Sequence, residues 1–113
     1  MAWALDWYLK IDDLHGDAVE DHHRTWIETY SWKLKKGKPP WLVVDIVAGS
    51  ASARLASAMK TQQKFMRAQL HGVMNRNPRE VHEYIDLRVI EMVPAGNRPN
   101  GPLTQVTFQY NVI

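Results

Sequence analysis

Seven residues between positions 12 and 23 carry the side chains best suited to chemistry: Asp12, Asp13, His15, Asp17, Asp21, His22 and His23. Carboxylates and imidazoles are the usual ligands of hard and borderline metal ions. Their spacing argues against a metal. A calcium loop of the EF-hand type needs a glycine at its sixth position and a closing glutamate, and this segment has neither. A structural zinc site needs four convergent ligands, and no recognised spacing of them occurs. The adjacent His22 and His23 would point to opposite faces of a strand and so would not chelate together. A polar surface loop without metal is expected.

Other chemistry is no better supported. Asp6, Glu28, Asp45, Glu83 and Asp86 offer carboxylates for acid and base work, yet nothing in their spacing selects a pair. Ser31 lies between Tyr30 and Trp32 in a strand pattern, not on the strained turn of a nucleophile elbow. The chain has no cysteine and no glycine-rich phosphate loop. The reading is that the chain is not an enzyme, with no catalytic residue and no cofactor. Aromatics interleaved with bases (Trp32, Lys33, Lys35, Lys36, Lys38, Trp41) suit stacking and charge neutralisation on single-stranded nucleic acid. The apolar faces of their strands need Trp32 and Trp41, so core packing is the stronger reading.

A formal charge of +2 does not demand a nucleic-acid partner, but it is unevenly placed. Asp12, Asp13, Asp17, Glu20 and Asp21 crowd one loop, and Lys33, Lys35, Lys36 and Lys38 crowd the next. Opposite patches at separate edges suit head-to-tail self-association; two solvated loops are the plain alternative. Five tryptophans in 113 residues favour association, since Trp is enriched at interface centres.

The elements that must position these residues are mostly strands. At 113 residues, 45% hydrophobic and 23% charged, the chain (1–113) is a single domain able to bury one core without metal or disulfides. No apolar run approaches the roughly 18–20 residues that span a bilayer. No basic-then-apolar leader opens the sequence, so neither membrane insertion nor a secretory signal is expected. The absence of cysteine fits a cytoplasmic origin.

From Trp3 to Ile11 the odd positions Trp3, Leu5, Trp7, Leu9 and Ile11 are apolar, a period of two that marks a half-buried strand. Residues 12–23, with Gly16, read as a loop. A second strand over about 24–34 places Trp26, Tyr30, Trp32 and Leu34 on one face. Lys35 to Pro40 ends it, because proline cannot donate to a ladder. Trp41 to Val47 is apolar except at Asp45, the pattern of a strand buried on both faces. Buried carboxylates need partners, and Arg54, Arg67 or Arg88 are the candidates for Asp45. A helix capped by Ser50 or Ser52 runs to about Gln63, with Ala51, Leu55, Ala58 and Met59 on one face.

A fourth strand, 65–74, puts Met66, Ala68, Leu70 and Met74 on one face. Arg67, Gln69 and His71 on the other either line a lumen or face solvent. Asn75 to Pro78 signals a turn. Val81 to Val93 is a long strand with Ile85, Leu87, Val89 and Val93 aligned. Pro94 to Pro102 reads as a surface loop, and Leu103 to Ile113 as a last strand with Val106, Phe108, Tyr110 and Val112 inward. The fold class is mainly β: a small antiparallel β-barrel or sandwich of about six strands with one short α-helix after the third.

The ordered series DWYLKIDDLHGDAVEDHH, IETYSW, WLVVDIV, SASARLASAMKT, KFMRAQLHGV, EYIDLRVIEMV and TQVTFQYNVI resembles the haemolysin-coregulated protein (Hcp) family. These are tube subunits of the type VI secretion system, similar in fold to phage tail tube proteins. The resemblance implies a small β-barrel with an adjacent helix whose copies close into hexameric rings. Those rings stack into a tube inside a contractile sheath, meet a spike protein and carry small effectors. It also implies assembly in the cytoplasm and export by the machine without a signal peptide. The Lys35–Pro40 segment is shorter than the Gly- and Ser-rich extension that often helps such rings stack, and the family often continues beyond a strand like 103–113. An open edge there would itself be an assembly contact. The alternatives are a non-assembling binding module for single-stranded nucleic acid or peptide, a phage tail tube protein, and an adaptor that has lost stacking.

Overall fold

Period-two patterning dominates the chain and produces six strands and one helix in the computed structural model, which describes residues 5–12, 14, 26–74, 77–99 and 101–111. The strands are β1 (Asp6–Ile11), β2 (Ile27–Lys35), β3 (Trp41–Val47), β4 (Lys64–Met74), β5 (Asn77–Arg98) and β6 (Gly101–Asn111). The helix α1 (Ser50–Thr61) lies between β3 and β4. Every pairing is antiparallel, in the order β1-β2-β3-β6-β5-β4, and β4 pairs back onto β1 to close the barrel. The mainly β class and the helix after the third strand agree with the sequence reading. The open edge does not. β6 is paired on both sides, with β3 and with β5, so it offers no free ladder to a neighbour.

Alternation fills the interior. Leu9, Ile11, Leu42, Val44, Ile46, Leu70, Leu87, Val106 and Phe108 are sealed from water. Each such side chain contributes about 1.5–3 kcal/mol relative to an exposed position. β3 is buried on both faces as its composition predicts, since Val43 is buried opposite Leu42 and Val44. Trp3 and Val112 lie outside the described residues. Trp7 packs on the fringe of the core, its ring edge-on to Trp32 at 5.0 Å. His82 joins them, 4.9 Å from Trp32. Gly72 makes room for this cluster: a Cβ there would come within 2.8 Å of the Trp7 ring and of Leu5.

The helix presents Ala51, Leu55 and Ala58 to the core, with Met59 partly buried. Its N-cap is Gly49, not the serines expected. Ser52 Oγ accepts from the Gly49 N–H at 3.0 Å and donates to the Gly49 carbonyl at 2.7 Å, so a single hydroxyl fixes the first turn. At the other end Gln62 turns left-handed with φ 56°, and the Gln63 N–H reaches the Ala58 carbonyl at 2.9 Å. That ends the helix about two residues before the predicted stop.

Bulges explain most of the misassigned faces. The β2–β3 register shifts between Thr29 and Ser31. Ile27 and Thr29 are therefore buried, Trp32 re-enters the core fringe, and Tyr30 is 52% exposed; Leu34, next to the hairpin end of β2, is 47% exposed. β5 shifts against β6 between Ile85 and Arg88 and again between Val89 and Glu91. Asp86, inside the first shift, has φ 53°. Tyr84, then Leu87 and Val89, then Met92 thus point to the core, while Val93 is 38% exposed. A one-residue slip moves side chains to the other face. On β4, Met66 lies between the Phe65–Leu87 and Arg67–Ile85 pairs and is 74% exposed, against the predicted inward position.

Most of the segment expected as a loop is paired strand on either side of residues 99–100. β5 continues to Arg98, and Pro94 and Pro102 sit opposite Thr104 and Asn97. A further shift between Pro94 and Asn97 accommodates the prolines, which bulges tolerate. Gly96 (φ 107°) and Gly101 (φ 129°) supply backbone angles that other residues rarely adopt. Asn77 and Pro78, expected in a turn, already belong to β5, where Pro78 faces Val73.

Inside the barrel Tyr84 and Tyr110 meet edge to face at 4.9 Å, and the Tyr84 hydroxyl is buried without a partner among the described residues. Burial, with the Tyr110 phenol as a second cause, pushes the Tyr84 pKa from 10.0 up to about 12. The folded state therefore holds the proton that the unfolded chain releases first. Stability should be intact below the unfolded value of 10.0 and lost as pH rises through about 12. Tyr84→Phe removes the ionisable group and should show a flatter loss across that window in urea melts. Equal pH slopes for the two proteins would refute this.

Candidate assembly surface

The basic set divides between strand and turn. Lys33 lies within β2, inside the strand read over about 24–34, and Lys35 ends β2 one residue beyond it; Lys36 and Lys38 lie in the β2–β3 connection, and all four are exposed. Lys35 faces Trp41 across the hairpin, with its Nζ 5.9 Å from the ring centre. Of the acidic set, Asp12 closes β1, half-buried, its N–H donating to the Arg67 carbonyl at 3.1 Å. Asp13, Asp17, Glu20 and Asp21 lie outside the described residues. Among the described residues Asp12 makes no ion pair with the lysines.

Arg67, Gln69 and His71 alternate with the buried Ala68 and Leu70, and so stand on the outer wall of β4. Across the ladder Tyr8 faces His71, and Lys10 faces Gln69. Gln69 Nε2 donates to Glu83 Oε1 at 3.4 Å, and the His71 ring lies 4.6 Å from Trp26. Lys10, Asp12, Arg67, Gln69 and Glu83 border an open cleft there. These residues face away from the barrel's own core, onto whatever the outer wall meets.

Asp45 does not take one of the arginines proposed from the sequence. Ser31, its direct cross-strand neighbour, donates from Oγ to Asp45 Oδ2 at 2.9 Å, and Oδ1 is buried without a partner among the described residues. Finding Ser31 required the β2–β3 register, which the bulge conceals in sequence. The apolar residues Tyr30, Leu34, Trp41, Val81, Ile90 and Val93 are also exposed on the barrel surface. The Arg98 guanidinium covers the Tyr30 ring at 4.3 Å. Among the described residues no three His, Asp or Glu side chains converge as a metal-binding group, and no helix is long and apolar enough to cross a membrane.

No protein-family model matches the sequence, and no curated protein matches it. Solved structures do match. Hcp1 from Salmonella typhimurium superposes with a TM-score of 0.81 at 23% identity, over 95% of this chain and 83% of that one. A type VI secretion system effector from Yersinia pestis gives 0.82 at 17% identity, over 93% and 84%. The secreted protein Hcp3 from Pseudomonas aeruginosa gives 0.72 at 13% identity, over 95% and 86%.

The chain has the Hcp fold. At these identities the likeness is one of architecture, carried by strand order and the position of the helix. The resemblance read from DWYLKIDDLHG and IETYSW therefore rests on the whole closed sheet. Within the Hcp fold, Ser31 and Trp32 acquire physical roles: the serine satisfies Asp45, and the tryptophan packs between Trp7 and His82.

Proposed function

We propose that this chain is a structural subunit of the inner tube of a type VI secretion or related contractile injection system. The observation that carries the reading is the superposition on Hcp1 from Salmonella typhimurium over 95% of the chain. Copies join into closed rings of about six, and the rings stack into a conduit that carries small effectors inside a contractile sheath behind a spike protein. The subunits assemble in the cytoplasm and leave through the machine. Chemistry has no part in this role.

The mechanism is geometric. In a rotational ring each contact is heterologous, one patch meeting a different patch on the next copy. A closed sheet supports this, because contacts between finished barrels are made by side chains and hairpins. The acidic segment (Asp12, Asp13, Asp17, Glu20, Asp21) and the basic hairpin (Lys33, Lys35, Lys36, Lys38) provide opposite charge at separate places. Arg67, Gln69 and His71 provide a polar strip that faces the lumen or solvent.

The test is the assembly state of the purified protein by light scattering and negative-stain imaging, at low and high salt. Rings or tubes are expected, weaker at high salt because exposed charge contacts are screened within about 10 Å at 0.1 M. A monomer at every concentration and salt would overturn the tube role.

A further inference from the structure

The basic hairpin does not end at Pro39. Pro39 borders a cleft of about 210 Å³ that is also lined by Lys64, Asp86, Arg88, Gln109, Tyr110 and Asn111. Lys64 and Arg88 stand directly opposite each other on β4 and β5, and Gln109 on β6 faces Arg88 from the other side. Like charges placed opposite one another in a ladder repel, so this pair is unfavourable as it stands. Among the described residues neither cation lies within ion-pair distance of a carboxylate. The Arg88 Nε is buried with no hydrogen-bond partner among the described residues. Asp86 lines the same cleft, but its Oδ2 accepts from Asn111 Nδ2 at 3.0 Å. An unsatisfied guanidinium nitrogen beside a second cation can take an oxygen acceptor, and a carboxylate is the group whose geometry matches the guanidinium fork.

We infer that this cleft is a carboxylate seat, filled by an acidic side chain from segment 12–21 of a second copy of the chain. The inference rests on the tube reading above and assigns its contact. Two observations commit the occupant. The chain concentrates Asp12, Asp13, Asp17, Glu20 and Asp21 in one short stretch, and the cleft adjoins the hairpin bearing Lys36 and Lys38. The exposed lysines draw the acidic segment in over distance, where salt screens them. Arg88 and Lys64 then hold one carboxylate in a partly desolvated place, where the contact resists salt better. Sequence reading passed over Lys64 and offered Arg88 only as a partner for Asp45, because the pairing of β4 with β5 is what brings the two cations together.

The test compares wild type, Arg88→Gln and Lys64→Gln by light scattering over a concentration series, with thermal melts to confirm folding. Arg88→Gln should raise the midpoint concentration for assembly at least about tenfold, the scale expected when one partner of a desolvated charge pair is lost, and the exposed Lys64→Gln should raise it by a smaller, measurable factor. Arg88→Glu should abolish assembly, and combining it with Asp17→Arg or Asp21→Arg should restore part of it. If wild type assembles and both Gln variants match it, the seat is overturned while the tube reading stands. If wild type never assembles, both fall. Lys64 is exposed, so Lys64→Gln keeps the test valid should Arg88 variants fold poorly.

Discussion

Replacing Phe108 with alanine should lower the stability of the folded chain by about 3–5 kcal/mol, the largest single effect expected from a side-chain truncation here. Phe108 is fully buried at the middle of β6, between Leu42 on β3 and Val89 on β5 in the ladder. Both neighbours are also buried, and both belong to strands held on each side by others, so the walls have little freedom to collapse into the void. At roughly 4 °C per kcal/mol for a domain of this size, the melting temperature should fall by about 12 °C or more. Met66→Ala is the control. At 74% exposure Met66 makes little of the core, and its loss should stay within about 0.5 kcal/mol. Comparable losses from the two changes, followed by thermal and urea unfolding, would contradict the β4 and β6 faces described above.

Reversing three charges on the hairpin should affect association instead. The variant Lys35→Glu, Lys36→Glu, Lys38→Glu alters only exposed positions, so its melt should stay close to wild type. Assembly should slow by about tenfold or more, because oriented charge raises encounter rates by factors of about 10–10³. At high salt the wild type should slow toward the variant. Time-resolved scattering at several salt concentrations measures both effects. Unchanged assembly at low salt would remove the hairpin from the contact.

How much could be read in the sequence depended on whether a strand kept its register. β1 and β6 did: Leu9, Ile11, Val106, Phe108 and Tyr110 are inward as their alternation predicts. β3 is legible from its composition, and α1 from its spacing. β2 and β5 were not, because a bulge inserts one residue without marking it in the hydrophobic pattern. After the Thr29–Ser31 shift Tyr30 is outside, and after the shifts in β5 Tyr84 and Met92 are inside while Val93 is out. The proline-rich segment was misread for a related reason. Its prolines fall beside a register shift, where the ladder does not need their missing donors. The charge segregation of the candidate surface was plain in the chain order. The Lys64–Arg88 cleft and the Ser31–Asp45 bond were not, since both depend on pairings between residues far apart in sequence.

The closed sheet also sets an order of events. Every described strand completes its backbone pairing within its own chain, so the described sheet needs no second copy to close it. In the tube proposed above, association would come afterwards and depend on concentration, and dilution or added salt would part intact subunits that rejoin without refolding. A stock of finished pieces could then be held ready for use.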